Sequence, residues 1–173
     1  MRHLGLDVAI VPWADADAAR LDAADLVISG PGPGDPRDDA SDRIRHMRGV
    51  VGQRLTSGRP LLAVCLSHQI LADRLGIDLV PLDRPHQGLQ FEVDVFGEPA
   101  SIGFYNTFTA RAEPGTIRMG TAELAAAADS GDVYALRGPG FASVQGHLES
   151  ILSRDGMRTL ERLVAHALSP VTA

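Results

Sequence analysis

The chain has 173 residues, 45% hydrophobic and 22% charged, a composition that suits one soluble globular unit with room for a sizeable core. Its net charge of -6 and the lack of any Lys/Arg run argue against nucleic acid and against a membrane surface as partners, and no apolar run is long enough to span a bilayer. The N-terminus does not read as a secretory signal, and a single cysteine allows no intrachain disulfide; both point to the cytoplasm, with small-molecule chemistry or protein binding as the remaining roles.

In chain order, "DVAIVPW" (7–13) is expected to be a strand and "ADADAARLDAAD" a linker with a helical turn. "LVIS" (26–29) reads as a buried strand, and "GPGPGDPRDD" (30–39) as a loop, because glycine and proline alternate there. Ile44, Met47, Val51 and Leu55 recur at helical spacing, with Ser41 as N-cap and Gly58 as stop. "LLAVC" (61–65) is a second buried strand, followed by a short helix "SHQILADRLG" that Gly76 stops.

Beyond residue 77 the period changes. "LQFEVDVFG" (89–97), "SIGFYN", "LAAAADS", "DVYALRG" and "FASVQGH" alternate as strands separated by short turns, so antiparallel pairing is expected. "DGMRTLERLVAHAL" (155–168) closes as an amphipathic helix whose apolar face holds Met157, Leu160, Leu163, Val164 and Leu168. Strand–helix alternation followed by hairpins predicts an α/β fold: a doubly wound, mainly parallel sheet with added antiparallel strands.

Reactive groups in such sheets gather at the carboxyl ends of strands. Cys65 falls there, directly before a helix whose N-terminus favours thiolate over thiol. The arrangement is that of a strand–turn–helix nucleophile elbow, flanked by Ala63 and Ser67 instead of glycines. A core-filling thiol would look the same in this stretch alone. A nucleophile needs a base, and the base an orienting group. Of the histidines, His68 follows the elbow and is expected to point away, His46 and His166 belong to surface helices, His3 is terminal and His86 lies in a loop. His147 ends an apolar segment, and Glu149 at i+2 shares its face in extended geometry; a surface His–Glu pair is the other reading of this spacing. The "PGPG" loop follows a strand and can offer backbone N–H donors to a ligand, or be an ordinary tight turn.

Three ordered blocks, "SGPGPGDP" (29–36), "AVCLSHQIL" (63–71) and "SVQGHLESIL" (143–152), with "GFYNTF" (103–108) as a weaker fourth, resemble the class I (triad-type) glutamine amidotransferases. The likeness is to those that feed ammonia to chorismate-using synthases such as anthranilate synthase. Ser67 stands where the family usually has glycine, and Gly146 and Leu148 where it has phenylalanine and proline. Serine after Cys-Leu is more similar to the phenazine-type aminodeoxyisochorismate synthases. The resemblance implies the flavodoxin-like fold of that family, with Cys65 as nucleophile, His147 as base and Glu149 as its orienting acid. It implies an oxyanion hole from Gly32, Gly34 and Leu66, and glutamine held by Gln69, Thr107 and Phe108. No metal and no cofactor is implied, and the partner is a chorismate-binding synthase subunit or fused domain. The family's opening strand has no counterpart in residues 2–13, so residues 1–173 are expected to be a single amidotransferase domain that begins late or was cut from a longer fusion. A tryptophan- or folate-pathway subunit, a gamma-glutamyl hydrolase and a non-catalytic binding domain are the alternatives.

Overall fold

A computed structural model of the chain describes residues 5–170. Its helices are α1 (Ala18–Ala23), α2 (Asp42–Ser57), α3 (Leu66–Arg74) and α4 (Gly156–Leu168). A six-stranded sheet runs in the order β1 (Val27–Ser29), β2 (Leu61–Val64), β10 (Phe141–Val144), β9 (Val133–Gly138), β8 (Ala122–Ala126) and β7 (Arg118–Met119). β1, β2 and β10 are mutually parallel, whereas β10, β9, β8 and β7 pair antiparallel. Two antiparallel ribbons stand apart from it: β3 (Asp78–Pro81) with β6 (Phe108–Arg111), and β4 (Leu89–Asp94) with β5 (Pro99–Phe104). The result is the expected α/β architecture, parallel where strands and helices alternate and antiparallel where hairpins follow.

Both faces of the sheet centre are covered. α2 and α3 close one side over Ile44, Val51, Leu61, Ala63, Leu66 and Ile70. α4 and the β4–β5 ribbon close the other over Leu62, Val64, Ile102, Phe104, Val144 and Leu163. α2 starts as its sequence requires, with the Ser41 hydroxyl accepting from the Ile44 N–H, and stops where Gly58 takes a left-handed conformation at φ 65°. No helix among the described residues is long and apolar enough to cross a membrane.

Several elements differ from expectation. Residues 7–12 form no strand, and Trp13–Asp15 is a single 3-10 turn. An extended segment is held by a neighbouring strand edge, and this one pairs with none among the described residues, so Ile10 is left 94% exposed. β1 is not buried: among the described residues it is bonded to β2 alone and lies at the edge, with Ile28 41% exposed. The inward face of α4 is rotated, since Leu163, Val164 and Ala167 are buried while Met157 and Leu168 are exposed. Of the two histidines expected to be solvated on surface helices, His46 is half-buried against the Trp13 ring, and His166 is half-buried with its Nε2 3.0 Å from the Gly138 carbonyl.

Candidate active site

Cys65 sits between β2 and α3, where the chain must turn from strand to helix within one residue. The turn forces φ 54° and ψ −107°, a conformation costly for a residue with a Cβ, and the neighbouring strands hold it. The Cys65 N–H donates to the Val144 carbonyl at 2.9 Å, and the Cys65 carbonyl accepts from the Gln69 N–H at 3.1 Å. The thiol thus emerges at the carboxyl ends of β2 and β10, whose register pairs Val64 with Val144.

The helix N-terminus does not leave Cys65 as a thiolate. Burial pushes its pKa up to about 11, with the Glu149 charge adding to the rise, while the Leu66 N–H and the nearby Gln145 side chain act to lower it. Desolvation outweighs the helix dipole here, because Cys65 is 6% exposed. At neutral pH it rests as a thiol.

Past β10 the chain crosses to the β4–β5 ribbon. The His147 N–H donates to the Gly103 carbonyl at 2.8 Å. The Ser153 hydroxyl accepts from the Gly103 N–H at 2.9 Å and donates to the His147 carbonyl at 2.5 Å. Gly146 fits this crossing closely: a Cβ there would lie 2.2 Å from Ile102 Cγ2, so the ribbon would have to shift. His147 Nδ1 is 2.8 Å from Glu149 Oε1. A carboxylate only accepts, so Nδ1 carries the proton and Nε2 presents its lone pair. The Tyr105 ring stands edge-on to the imidazole, with centroids 5.1 Å apart, and its hydroxyl is 3.1 Å from Ser150 Oγ. The imidazole and the thiol are not hydrogen-bonded to each other in this structure.

The "PGPG" loop lies on the start of α3. A Cβ on Gly32 would be 2.7 Å from the Arg43 guanidinium and 3.3 Å from Leu66 Cδ2, and Gly34 has φ 114°, which a side chain would rarely adopt. Ser67 fastens this loop: its hydroxyl donates to the Gly30 carbonyl at 2.9 Å and accepts from the Ser29 hydroxyl at 2.7 Å. The serine that replaces glycine therefore ties the elbow to the end of β1.

Gln69 is buried, and its Nε2 donates to the Phe108 carbonyl at 2.7 Å and to Gln145 Oε1 at 3.0 Å. Phe108 is half-buried under the Arg37 guanidinium, 4.8 Å from its ring, whereas Thr107 is exposed with its carbonyl accepting from the Leu82 N–H at 2.9 Å. His68 points away from Cys65, as expected, but into the core. It is wholly buried, its Nε2–H donates to the Val133 carbonyl at 3.1 Å, and its Nδ1 accepts from the Ser143 hydroxyl at 2.8 Å. Desolvation lowers its pKa to about 4, so it is neutral. Gln145, Tyr105, Ser153 and Gly103 were not singled out from the sequence. Gln145 lies within the block of His147 and Ser153 directly follows that block, and Gly103 and Tyr105 lie within "GFYNTF".

Residues 1–167 match the family "Glutamine amidotransferase class-I". The chain belongs to that family. Among curated amidotransferase relatives, "Anthranilate synthase, phenazine specific" of Pseudomonas fluorescens is 43% identical over 97% of this chain but only 26% of its own length. "Aminodeoxychorismate synthase component 2" of Klebsiella aerogenes is 31% identical over 84% of this chain and 78% of its own length. The chain thus spans about a quarter of the phenazine-specific relatives it matches. The same fold occurs in the glutaminase domain of CTPS from Trypanosoma brucei with bound acivicin, at TM-score 0.69 and 15% identity, covering 99% of this chain and 84% of that one. It recurs in a glutamine amidotransferase from Thermotoga maritima at TM-score 0.60 and 16% identity, covering 90% and 75%.

Proposed function

We propose that this amidotransferase hydrolyses the side-chain amide of glutamine through a Cys65 thioester and delivers the ammonia to a chorismate-using synthase. Support comes above all from one juxtaposition. A strained, buried thiol stands at the end of β2, and an imidazole with a free Nε2 is fixed by Glu149 beyond the adjacent β10.

His147 Nε2 takes the thiol proton, which a group resting with a pKa of about 11 needs a base to give up. The thiolate attacks the amide carbon, and the oxyanion is received by backbone N–H groups of Leu66 and of the Gly32–Gly34 loop. The imidazolium returns the proton to the leaving nitrogen, and ammonia departs. Water, activated by the same Nε2, then releases glutamate. Glu149 holds the tautomer and stabilises the imidazolium. Gln69, Thr107 and Phe108 hold the amino-acid end of glutamine. Both Gln69 N–H groups are engaged within the protein, so Gln69 meets the substrate through Oε1, facing its ammonium group.

The acceptor is a chorismate-using synthase subunit or fused domain in the cytoplasm, of the phenazine type. The higher identity to the phenazine-specific relative than to the aminodeoxychorismate component favours that choice. The test is Cys65→Ala assayed with the synthase partner. Glutamine-dependent synthesis is expected to fall by at least ~10³-fold with ammonia-dependent synthesis intact. Equal loss of both activities overturns the assignment.

A further inference from the structure

Gln145 follows β10 as Cys65 follows β2, and the Val64–Val144 register sets these residues side by side. Its backbone is fixed, the N–H donating to the Tyr134 carbonyl at 2.8 Å, and its side chain is 1% exposed. The orientation of its amide is decided by its neighbour. Gln69 Nε2 gives one hydrogen to the Phe108 carbonyl at 2.7 Å and the other to Gln145 at 3.0 Å, and only an oxygen can accept the second. Gln145 Oε1 therefore faces Gln69, and Gln145 Nε2 is turned the other way. That nitrogen is buried and has no hydrogen-bond partner among the described residues. An unpaired buried amide N–H is costly, so its retention beside a nucleophile calls for a state in which it is paired.

We propose that Gln145 is a further catalytic residue: its Nε2–H donates to the Cys65 sulfur once the thiol proton has passed to His147, holding the thiolate for attack. The proposal rests on the reading of Cys65 as nucleophile and His147 as base. The Gln145 side chain already opposes the upward shift of the Cys65 thiol, though no formed hydrogen bond joins the two, which fits a donor near the sulfur that closes on it only when the thiolate forms. Gln69 then acts as a positioning residue, since it alone fixes which way the Gln145 amide points. Only the one proton moves, from sulfur to His147 Nε2, and Gln145 changes no bond.

Cys65 is the only cysteine in the chain, so its thiolate can be titrated by the pH dependence of iodoacetamide alkylation, apart from any activity. In the full chain, Gln145→Met is expected to slow alkylation below the thiol pKa about tenfold, corresponding to a pKa about one unit higher. It is expected to lower kcat with KM nearly unchanged. In the alkylation profile Gln69→Met should fall between wild type and Gln145→Met, because it leaves the Gln145 amide present but free to turn. An unchanged alkylation profile in folded Gln145→Met overturns the proposal, as does a rise in KM alone, which would assign Gln145 to substrate binding. The wild-type protein gives a second measurement that needs no variant to fold: the Gln145 Nε2 proton resonances should move as Cys65 titrates, and static resonances overturn the proposal. Retention of glutaminase activity by Cys65→Ala would instead remove the underlying reading, a separate outcome.

Discussion

"LVIS" and "LLAV" are nearly indistinguishable as apolar runs, yet they end in different environments. β2 lies between β1 and β10, and each of its residues is buried. Among the described residues β1 is bonded to β2 alone and leaves Ile28 41% exposed. The catalytic candidates follow the first environment: Cys65 and Gln145 both leave strands with a neighbour on each side. Strain of the kind seen at Cys65 typically costs about 1–3 kcal/mol and persists only where the surroundings over-determine the backbone. The centre of the sheet, with a bonded strand on each side, supplies such surroundings.

This contrast is open to a direct measurement. Leu62 on β2 is wholly buried, and Leu62→Ala is expected to cost about 2–5 kcal/mol in denaturant unfolding. Ile28→Ala on the adjoining edge should cost under about 1 kcal/mol. Equal losses would show that the flank is as firmly packed as the centre.

Acid should separate the regions further. His68 joins α3 to β9 and β10 as a buried neutral ring, with a pKa lowered to about 4 from its ordinary 6.5. A group whose folded pKa is depressed stabilises the fold in its deprotonated form. Its contribution is fully present above pH 6.5 and is lost as pH falls towards 4, up to about 3 kcal/mol in all. Carboxylates also titrate in this window, so the useful quantity is the difference between wild type and His68→Gln at each pH. That stability advantage is expected to shrink from pH 7 to pH 4, and a constant difference would contradict a ring held neutral.

The crossing from the sheet centre to the β4–β5 ribbon makes a third point of attack. Gly146→Ala places a Cβ 2.2 Å from Ile102 Cγ2 and 3.1 Å from the Gly103 carbonyl. Overpacking of this kind costs about 1–3 kcal/mol. Because His147 is anchored to Gly103 next door, kcat should fall along with thermal stability. A variant destabilised but fully active would show that the anchor tolerates displacement.

The blocks that carry chemistry could be read from the sequence because each is local: a loop after a strand, a thiol after a strand, a His–Glu pair at i+2. The alternation of strands and helices likewise gave the α/β class. What stayed hidden depends on neighbours distant in the chain. The pairing of β3 with β6 joins Asp78 to Arg111 across segments with no common pattern. The edge position of β1 depends on the strand order, which no apolar run encodes. On α4 the small Ala167 is buried while the bulkier Met157 and Leu168 are not, so counting large side chains turned the predicted face. The role of Gln145 was invisible for a related reason: its amide is oriented by Gln69, on another element.

The smallest effect should come at the seam between the two regions. The Ser29 hydroxyl, ending β1, donates to Ser67 at the start of α3, and Ser67 donates to the Gly30 carbonyl at 2.9 Å. Ser67→Ala removes both bonds, but Ser29 and Gly30 are only half-buried, so water can replace part of what is lost. A net loss of about 1 kcal/mol is expected. In a double-mutant cycle with Ser29→Ala the two substitutions should be less than additive, since either one breaks the same hydroxyl–hydroxyl bond. Strict additivity would mean that Ser29 contributes nothing through Ser67. The activity readout sharpens the point: the Ser67–Gly30 bond holds the loop containing Gly32 and Gly34, the proposed oxyanion donors. Its loss should lower kcat more than it raises KM, whereas a change in KM alone would place that loop on the bound glutamine and not on the developing charge.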